Sequence, residues 1–149
     1  MSLDIKEQAN QLTARFCTND PFEIADYLGI IVTVCPLGDL NGYILLEKGF
    51  SFVSINNSLD ECQRALVCGH EIGHHILHQG LNRIFMDSCT LSKTDLFEIE
   101  ADRFAVDLLY NDDELYPFLD YGFDTIARCL GISEDQAEYR MSTIEATVW

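Results

Sequence analysis

All four histidines of this chain lie within residues 67–78, and the sequence HEIGH at residues 70–74 gives two of them the spacing of metal ligands. On a helix, His70 and His74 lie one turn apart on one face, with Glu71 beside them. A catalytic zinc ion takes three protein ligands and leaves the fourth position to water. The motif therefore predicts two ligands and a general base, and it requires a third ligand elsewhere. The competing interpretation is a buried amphipathic helix whose histidines cluster by chance.

The two remaining histidines are poor candidates for the third ligand. The helical rise places His78 about 12 Å along the axis from His70, and three consecutive turns cannot converge on one ion. His75 points about 100° away from His74 around the helix. We therefore reject His78 and His75 as the third ligand and expect either of them to contact a ligand or the substrate instead of the ion.

A downstream helix offers carboxylates for the missing position. Apolar residues repeat at helical spacing between residues 96 and 110, and the sequence EIEADRFA occupies residues 98–105. Glu100 is the predicted ligand because it directly precedes Ala101, on a face that neighbours Phe97 and Phe104. Glu98 points about 200° away around the helix and is expected to be solvated. The alternative is that all these acids form an exposed charged face.

The elements around the motif follow from local sequence signals. Ser58 and Glu61 fit a capping box at the start of the motif helix, and Gln79 with Gly80 fits its end. Gly69 and Gly73 each cost that helix about 1 kcal/mol relative to alanine. This cost indicates that a packed strand or the metal site approaches the backbone closely. Residues 81–91 are expected to form an irregular rim of the site.

The rest of the chain predicts an α+β fold built as one small zincin-like domain. Helical spacing marks residues 3–16 and 20–28 before the motif, and residues 124–131 and 133–145 after it. Three strands, at 30–35, 43–46 and 50–56, predict a short antiparallel sheet packed on the motif helix, with a turn at Lys48 and Gly49. We expect one domain over residues 1–149, with a catalytic core at about 20–111 and a mostly helical C-terminal segment at about 112–149.

Composition and charge narrow the partners and the compartment. The net charge of −16 would repel a polyanion, so direct nucleic-acid binding is not expected. The first residues lack a signal-peptide pattern and no apolar run reaches the length of a membrane span, which predicts a cytoplasmic protein without membrane contact. The six cysteines form no CxxC pair and are expected to be reduced. Cys68, two residues before His70, keeps a cysteine nucleophile open as an alternative.

The two C-terminal helices superficially resemble a helix-turn-helix DNA-binding motif. The second helix, however, carries acidic residues against one cation, and phosphates would be repelled by them: Glu134, Asp135, Glu138 and Arg140. Packing against the core is therefore favoured over DNA binding.

Taken together, HEIGHHILH at residues 70–78 and EIEADRFA at residues 98–105 resemble the ImmA/IrrE family of zinc metallopeptidases. The strand end at Ile55 and Asn56 and the sequence DPFEIA at residues 20–25 extend the resemblance over about residues 20–110. The resemblance implies a gluzincin-like fold, a glutamate ligand from the second motif and a general base from the first. It also implies cytosolic proteases, often from phages or mobile elements, that cut helix-turn-helix repressors and so relieve repression.

The resulting hypothesis is a zinc-dependent endopeptidase in which Zn²⁺ is held by His70, His74 and Glu100, and Glu71 transfers protons. A donor to the developing oxyanion is also expected, and its candidates are His75, His78, Tyr43 and Tyr110. The last strand before the motif helix is expected to pair with an extended protein substrate. The alternative function is a non-proteolytic binding module that sequesters a repressor or another transcription factor.

Overall fold

A computed structural model describes residues 4–79 and 92–145 of the chain and confirms the α+β class. The expected rim at residues 81–91, like the helix end at Gly80, lies outside the described residues. The helices are α1 Ile5–Phe16, α2 Pro21–Tyr27, α3 Glu61–Leu77, α4 Ser92–Leu109, α5 Asp112–Leu115, α6 Phe123–Leu130 and α7 Glu134–Ser142, with a 3-10 turn at Tyr116–Phe118. The strands are β1 Ile31–Cys35, β2 Gly42–Glu47 and β3 Phe50–Asn56.

The three strands form a mixed sheet in the order β1-β3-β2. β2 and β3 make the predicted antiparallel hairpin, and the turn residues Lys48 and Gly49 both have positive φ, 52° and 82°. β1 pairs with β3 in parallel, with Ile31 opposite Phe52, so the prediction of a fully antiparallel sheet is wrong. The strands do alternate in direction along the chain, but β3 lies between β1 and β2. Short connections predict that successive strands reverse direction, but they do not show which strands lie next to each other in the sheet.

One face of the sheet packs against the motif helix α3. α3 contacts β2 and β3, and the buried side chains Ile44, Val53 and Ile55 share a core cluster with Ile72 of α3. Alternate residues of a strand point to opposite faces, so Tyr43 of β2 points away from α3.

α3 begins two residues later than predicted. Asp60 is the N-cap, its Oδ1 accepts a hydrogen bond from Gln63 N at 2.8 Å, and Gln63 Oε1 accepts one from Asp60 N at 3.1 Å. The predicted capping box of Ser58 and Glu61 is therefore wrong. The physical reason is that Asn56 Oδ1 accepts the hydrogen bond from Ser58 N at 3.1 Å, so Ser58 still belongs to the turn after β3.

α3 and α4 pack with their backbones close together. A Cβ atom added to Gly73 would lie 3.2 Å from Ala101 Cα, and one added to Gly69 would lie 3.4 Å from Ala105 Cα. The close approach predicted from these glycines is confirmed. The neighbour is a helix, however, and neither of the two expected neighbours, a strand or the metal site.

The C-terminal helices pack on a second side of α4. Val106 of α4 belongs to a cluster with Ile126, Ala127, Ile132 and Ala137 of the α6–α7 hairpin, whereas Phe104 and Leu108 belong to the sheet-side cluster. α4 therefore contributes to both hydrophobic clusters. Within the described residues, no helix is both long enough and apolar enough to cross a membrane.

Candidate metal centre

α3 brings the two motif histidines together as predicted. The Nε2 atoms of His70 and His74 lie 3.2 Å apart, and the two rings meet edge to face. His74 is 1 % exposed, and the side chain of His70 keeps 16 % of its surface exposed. The pair therefore has one buried and one partly accessible member.

The carboxylate that meets this pair belongs to Glu98, and not to Glu100. Glu98 Oε2 lies 2.7 Å from His70 Nε2, and Glu98 Oε1 lies 3.0 Å from His74 Nε2. The expectation that Glu98 is solvated and points away is therefore wrong. Glu100 Oε1 instead lies 3.4 Å from His78 Nε2.

The helical face that carries Glu98 explains this placement. The α4 residues nearest to Gly73 and Gly69 are Ala101, Phe104 and Ala105. The two alanines lie closest with their backbones and mark the side of α4 that faces α3. Glu98 lies three residues before Ala101 and shares its face, because residues three and four apart are neighbours on a helix. Matching the small residues of one helix to the glycines of the other would have identified Glu98 from the sequence.

The donor set of His70, His74 and Glu98 fits a metal ion such as zinc. Its ligand atoms all lie within 4.8 Å of one another. Zinc with nitrogen and oxygen ligands at about 2.0–2.1 Å has ligand atoms about 3.3 Å apart in a tetrahedron, and the three contacts of 2.7, 3.0 and 3.2 Å approach that value. Glu98 Oε1 is buried and makes no hydrogen bond, despite lying 3.0 Å from His74 Nε2. These contacts are those of converging ligands.

The outer nitrogen of each histidine is occupied by another side chain. His70 Nδ1 lies 2.7 Å from Asp102 Oδ1, and His74 Nδ1 lies 2.9 Å from His78 Nδ1. Such contacts orient an imidazole and leave its second nitrogen for a metal. The sequence analysis missed Asp102, although its position four residues after Glu98 places both acids on one face of α4.

The charges at this centre are coupled. Burial opposes the charged form of His70, but hydrogen bonds with Asp102 and Glu98 outweigh it and hold the His70 pKa well above its ordinary value. Burial likewise disfavours ionised Glu98, yet its contacts with His70 and His74 hold the Glu98 pKa well below its ordinary value. The opposite directions of the two shifts have one physical cause, which is the contact between the imidazole of His70 and the carboxylate of Glu98.

Glu71, the residue after His70 in α3, lies beside the pair. Its residue is 2 % exposed, and it lines the same cavity as His70 and Glu98. A Cβ added to Gly42 would lie 2.7 Å from Val67 Cγ1 and 3.8 Å from Glu71 Oε1. The start of β2 can therefore approach α3 closely only because residue 42 has no side chain.

A cavity of about 490 Å³ opens beside the three candidate ligands. Its floor is formed by α3 and by the acids of α4. One wall is the entry to β2, and the facing wall is the first turn of α7 with Ser133 and Gln136. The C-terminal hairpin thus forms one side of the cleft, a role that the sequence did not indicate.

The four predicted oxyanion donors lie elsewhere, because none of them lines this cavity in the described part of the chain. His75 Nδ1 lies 3.0 Å from Ser51 Oγ, and the Tyr110 hydroxyl donates to Leu130 O at 3.0 Å. Tyr43 points to the opposite face of the sheet, and His78 contacts His74. Of the described residues that line the cavity, those with a neutral side-chain N–H or O–H are Asn41, Ser133 and Gln136.

A cysteine nucleophile is excluded at Cys68. Its side chain is buried, and burial, with smaller contributions from Asp20 and Glu71, raises the pKa of its thiol to about 12. The thiolate is the nucleophilic form, so this thiol is inert near neutral pH. The five cysteines within the described residues are free thiols.

The one cation of α7, the helix that would contact DNA, is not available to a phosphate. Arg140 is 2 % exposed, and its Nη2 atom donates to Tyr110 O and to Asp112 Oδ1, each at 2.7 Å. A buried, paired guanidinium cannot reach a phosphate backbone. The exposed residues of α7 include Glu134, Asp135 and Glu138, which would repel one.

The mixed sheet, the HEIGH helix and the glutamate from the following helix define a small zincin-like domain. Residues 25–142 match the family described as the IrrE N-terminal-like domain, peptidase M78, and the chain belongs to this metallopeptidase family. The chain is 33% identical over 139 residues to immunity region protein 2 of Bacillus phage phi105, covering 91% of this chain and 88% of that protein. It is 30% identical over 149 residues to metallopeptidase ImmA of Bacillus subtilis strain 168, covering 96% of this chain and 87% of that protein.

Proposed function

We propose that this chain is a zinc-dependent endopeptidase whose ion is held by His70, His74 and Glu98, with Glu71 as the general base. The observation that carries the proposal is the convergence of two imidazole nitrogens and one carboxylate within 3.2 Å of each other beside the cleft. A structural zinc site closes all four positions with protein ligands. Three protein ligands beside an open cleft support a catalytic site.

The reaction assigned to this site is hydrolysis of a peptide bond. Zinc, when bound, lowers the pKa of a water molecule and polarises a carbonyl oxygen. Glu71 accepts the proton of the attacking water on its carboxylate and passes it to the nitrogen of the leaving amine. Asp102 holds His70 through Nδ1 and so keeps His70 Nε2 directed at the centre.

The substrate is expected to bind as an extended strand along β2. The sequence analysis assigned this role to β3, but β3 is paired on both sides. Asn56 N donates to Asn41 O at 2.8 Å, and the alternation of an antiparallel ladder then directs the backbone N–H and C=O groups of Gly42, Ile44 and Leu46 away from β3. Among the described residues no strand pairs with that edge of β2. Gly42 also lines the cleft, so a strand added there would pass the candidate metal centre.

The protein substrate proposed from the family resemblance is a helix-turn-helix repressor. The phage relative carries the name of an immunity region protein, which fits a role in control of a repressed state. The net charge of −16 favours a basic partner, and DNA-binding proteins are commonly basic. Cleavage of the repressor would relieve repression in the cytoplasm.

The test uses the full chain and a purified repressor encoded beside its gene. We expect about one zinc per chain, cleavage of the repressor by the wild type, and no cleavage after chelation. The Glu71→Gln variant should keep its zinc and lose cleavage, because only the base is removed. A repressor that stays intact in every condition but co-purifies with the chain would replace the proposal with the binding module. Cleavage by Glu71→Gln at the wild-type rate would overturn the assigned base.

A further inference from the structure

The Nδ1 atom of His74 contacts another histidine, whereas the Nδ1 atom of His70 contacts an aspartate. His74 Nδ1 lies 2.9 Å from His78 Nδ1, and His78 Nε2 lies 3.4 Å from Glu100 Oε1. The three side chains form a line from the candidate metal centre, through the protein, to a partly exposed carboxylate. We infer that His78 and Glu100 are positioning residues that set the tautomer of His74, an inference that rests on the proposed zinc site.

The directions of the hydrogen bonds follow from what each atom can do. His74 must present a lone pair on Nε2 to bind a metal, so the proton of its neutral ring lies on Nδ1. That N–H donates to His78 Nδ1, because one of two facing nitrogens must donate and the other accept. The proton of His78 then lies on Nε2, which donates towards Glu100 Oε1.

The surroundings restrict His78 to this geometry. The residue is 5 % exposed, and its ring lies 4.3 Å from the ring of Phe97, centroid to centroid. Phe97 belongs to α4, as does Glu100, so one helix both packs against the imidazole and supplies its carboxylate. The ring cannot turn towards solvent without leaving that contact.

The same arrangement gives the two neighbouring glutamates of α4, Glu98 and Glu100, different roles. Glu98 meets the Nε2 atoms of His70 and His74, and Glu100 meets His78, so the two acids act on different histidines of α3. His70 has a direct carboxylate at Asp102, whereas His74 reaches its carboxylate through one additional imidazole. The longer contact at Glu100 predicts a smaller effect for Glu100 than for His78.

The first test measures zinc affinity by competition with a chromophoric chelator. His78→Phe keeps the ring volume but removes the acceptor, and we expect the zinc dissociation constant to rise about 10- to 100-fold, the usual effect of removing such a partner. His78→Gln restores an acceptor oxygen and should recover part of the affinity. Glu100→Gln should give a smaller rise than His78→Phe.

The matched control is His75→Phe, which removes a neighbouring histidine of α3 whose Nδ1 contacts Ser51 Oγ. It should leave the zinc affinity at the wild-type value. Thermal unfolding of each metal-free variant separates loss of fold from loss of the contact. Equal affinity in a folded His78→Phe variant and the wild type would overturn the inference.

The second test needs no variant that might not fold. Long-range ¹H–¹⁵N spectra of the zinc-loaded wild type, labelled at its four histidines, report the protonated nitrogen of each ring. We expect His74 protonated on Nδ1 and His78 protonated on Nε2 alone. A proton on His78 Nδ1 would overturn the inference.

The outcomes also separate this inference from the proposed function. Weaker zinc binding by His78→Phe, in a chain that cleaves no protein, would overturn the peptidase proposal and support the positioning role. A wild type that binds no zinc would overturn both.

Discussion

Asp102 Oδ1 lies 2.7 Å from His70 Nδ1, and the two residues belong to different helices, α4 and α3. The contact joins the helix that carries the candidate acid ligand to the helix that carries the two histidines. Its geometry is that of a carboxylate orienting a metal-binding imidazole.

Removing the Asp102 carboxylate should weaken metal binding without unfolding the chain, because the Asp102 side chain is 47% exposed. We expect Asp102→Ala to raise the zinc dissociation constant about 10- to 100-fold, and Asp102→Asn, which keeps an acceptor oxygen, to raise it less. Chelator competition measures both constants. Unchanged zinc affinity in Asp102→Ala would show that the contact does not orient His70.

Glu98 and Glu100 provide a direct test of the third ligand. Glu98→Gln removes the carboxylate that contacts both histidines and should lose stoichiometric zinc. Glu100→Gln should retain it, because the Glu100 contact is with His78. Metal analysis of the two purified variants decides between them. Zinc retained by Glu98→Gln and lost by Glu100→Gln would restore the assignment made from the sequence.

Gly73 and Gly69 should differ in their tolerance of alanine. A Cβ at Gly73 would lie 3.2 Å from Ala101 Cα and 3.1 Å from Phe104 Cβ, so α3 and α4 must shift apart. We expect Gly73→Ala to lower the free energy of unfolding by about 1–3 kcal/mol. At Gly69 the nearest contacts are 3.4 Å, and alanine should be neutral or stabilise by up to about 1 kcal/mol through helix propensity. Urea unfolding measures both, and a Gly73→Ala variant as stable as Gly69→Ala would contradict the close packing.

Asp107 predicts a pH-dependent stability. Burial raises the pKa of Asp107 to about 6, against the lowering effects of the Tyr139 hydroxyl at 2.5 Å and the charge of Arg140. The folded state therefore binds this proton more tightly than the unfolded state, whose pKa is near 3.8. The stability that Asp107 contributes is present below about pH 4 and is lost as the pH rises to about 6.

Asp107→Asn should accordingly gain stability relative to the wild type as the pH rises through that interval. Asp112→Asn is the control with the opposite sign. Burial would raise the Asp112 pKa, but hydrogen bonds with Arg140 and Lys6 lower it. The advantage of the wild type over Asp112→Asn should therefore be lost as the pH falls. Unfolding free energies between pH 4 and 7 measure the first trend, and unfolding free energies below pH 3.8, the ordinary pKa of an aspartate, measure the second. Parallel curves for Asp107→Asn and the wild type between pH 4 and 7 would refute the first trend.

Sequence patterns within a single helix, strand or turn predicted much of the fold. The helical spacing of His70 and His74, the β2–β3 turn and the helix starts at Asp20 and Ser133 depend on neighbouring residues, and the structure places them as expected. The order of the strands depends on which edges meet in space. No local pattern carries that information, and the parallel pairing of β1 with β3 was missed for this reason.

The sequence predicted the part of the candidate site that lies on α3, but it did not predict which residue of α4 meets it. The choice of Glu100 used the apolar neighbours of α4 without knowing which side faces α3. Gly69, Gly73, Ala101 and Ala105 record that side as small residues. The cleft wall at Ser133 and Gln136 could not be found in this way, because it depends on where the C-terminal hairpin docks on α4.

Because α4 contributes to both hydrophobic clusters, this one helix connects the part of the chain that holds the candidate metal centre to the part that forms the cleft wall. Phe104 and Leu108 join the cluster that supports the sheet and α3, while Val106 joins the cluster that holds the α6–α7 hairpin. Ser133 and Gln136 of the hairpin line the cleft without belonging to either cluster, so substitutions at these two positions would change the cleft wall while both clusters stay packed. Substrate choice could in this way be engineered, or could evolve, independently of the metal-binding chemistry.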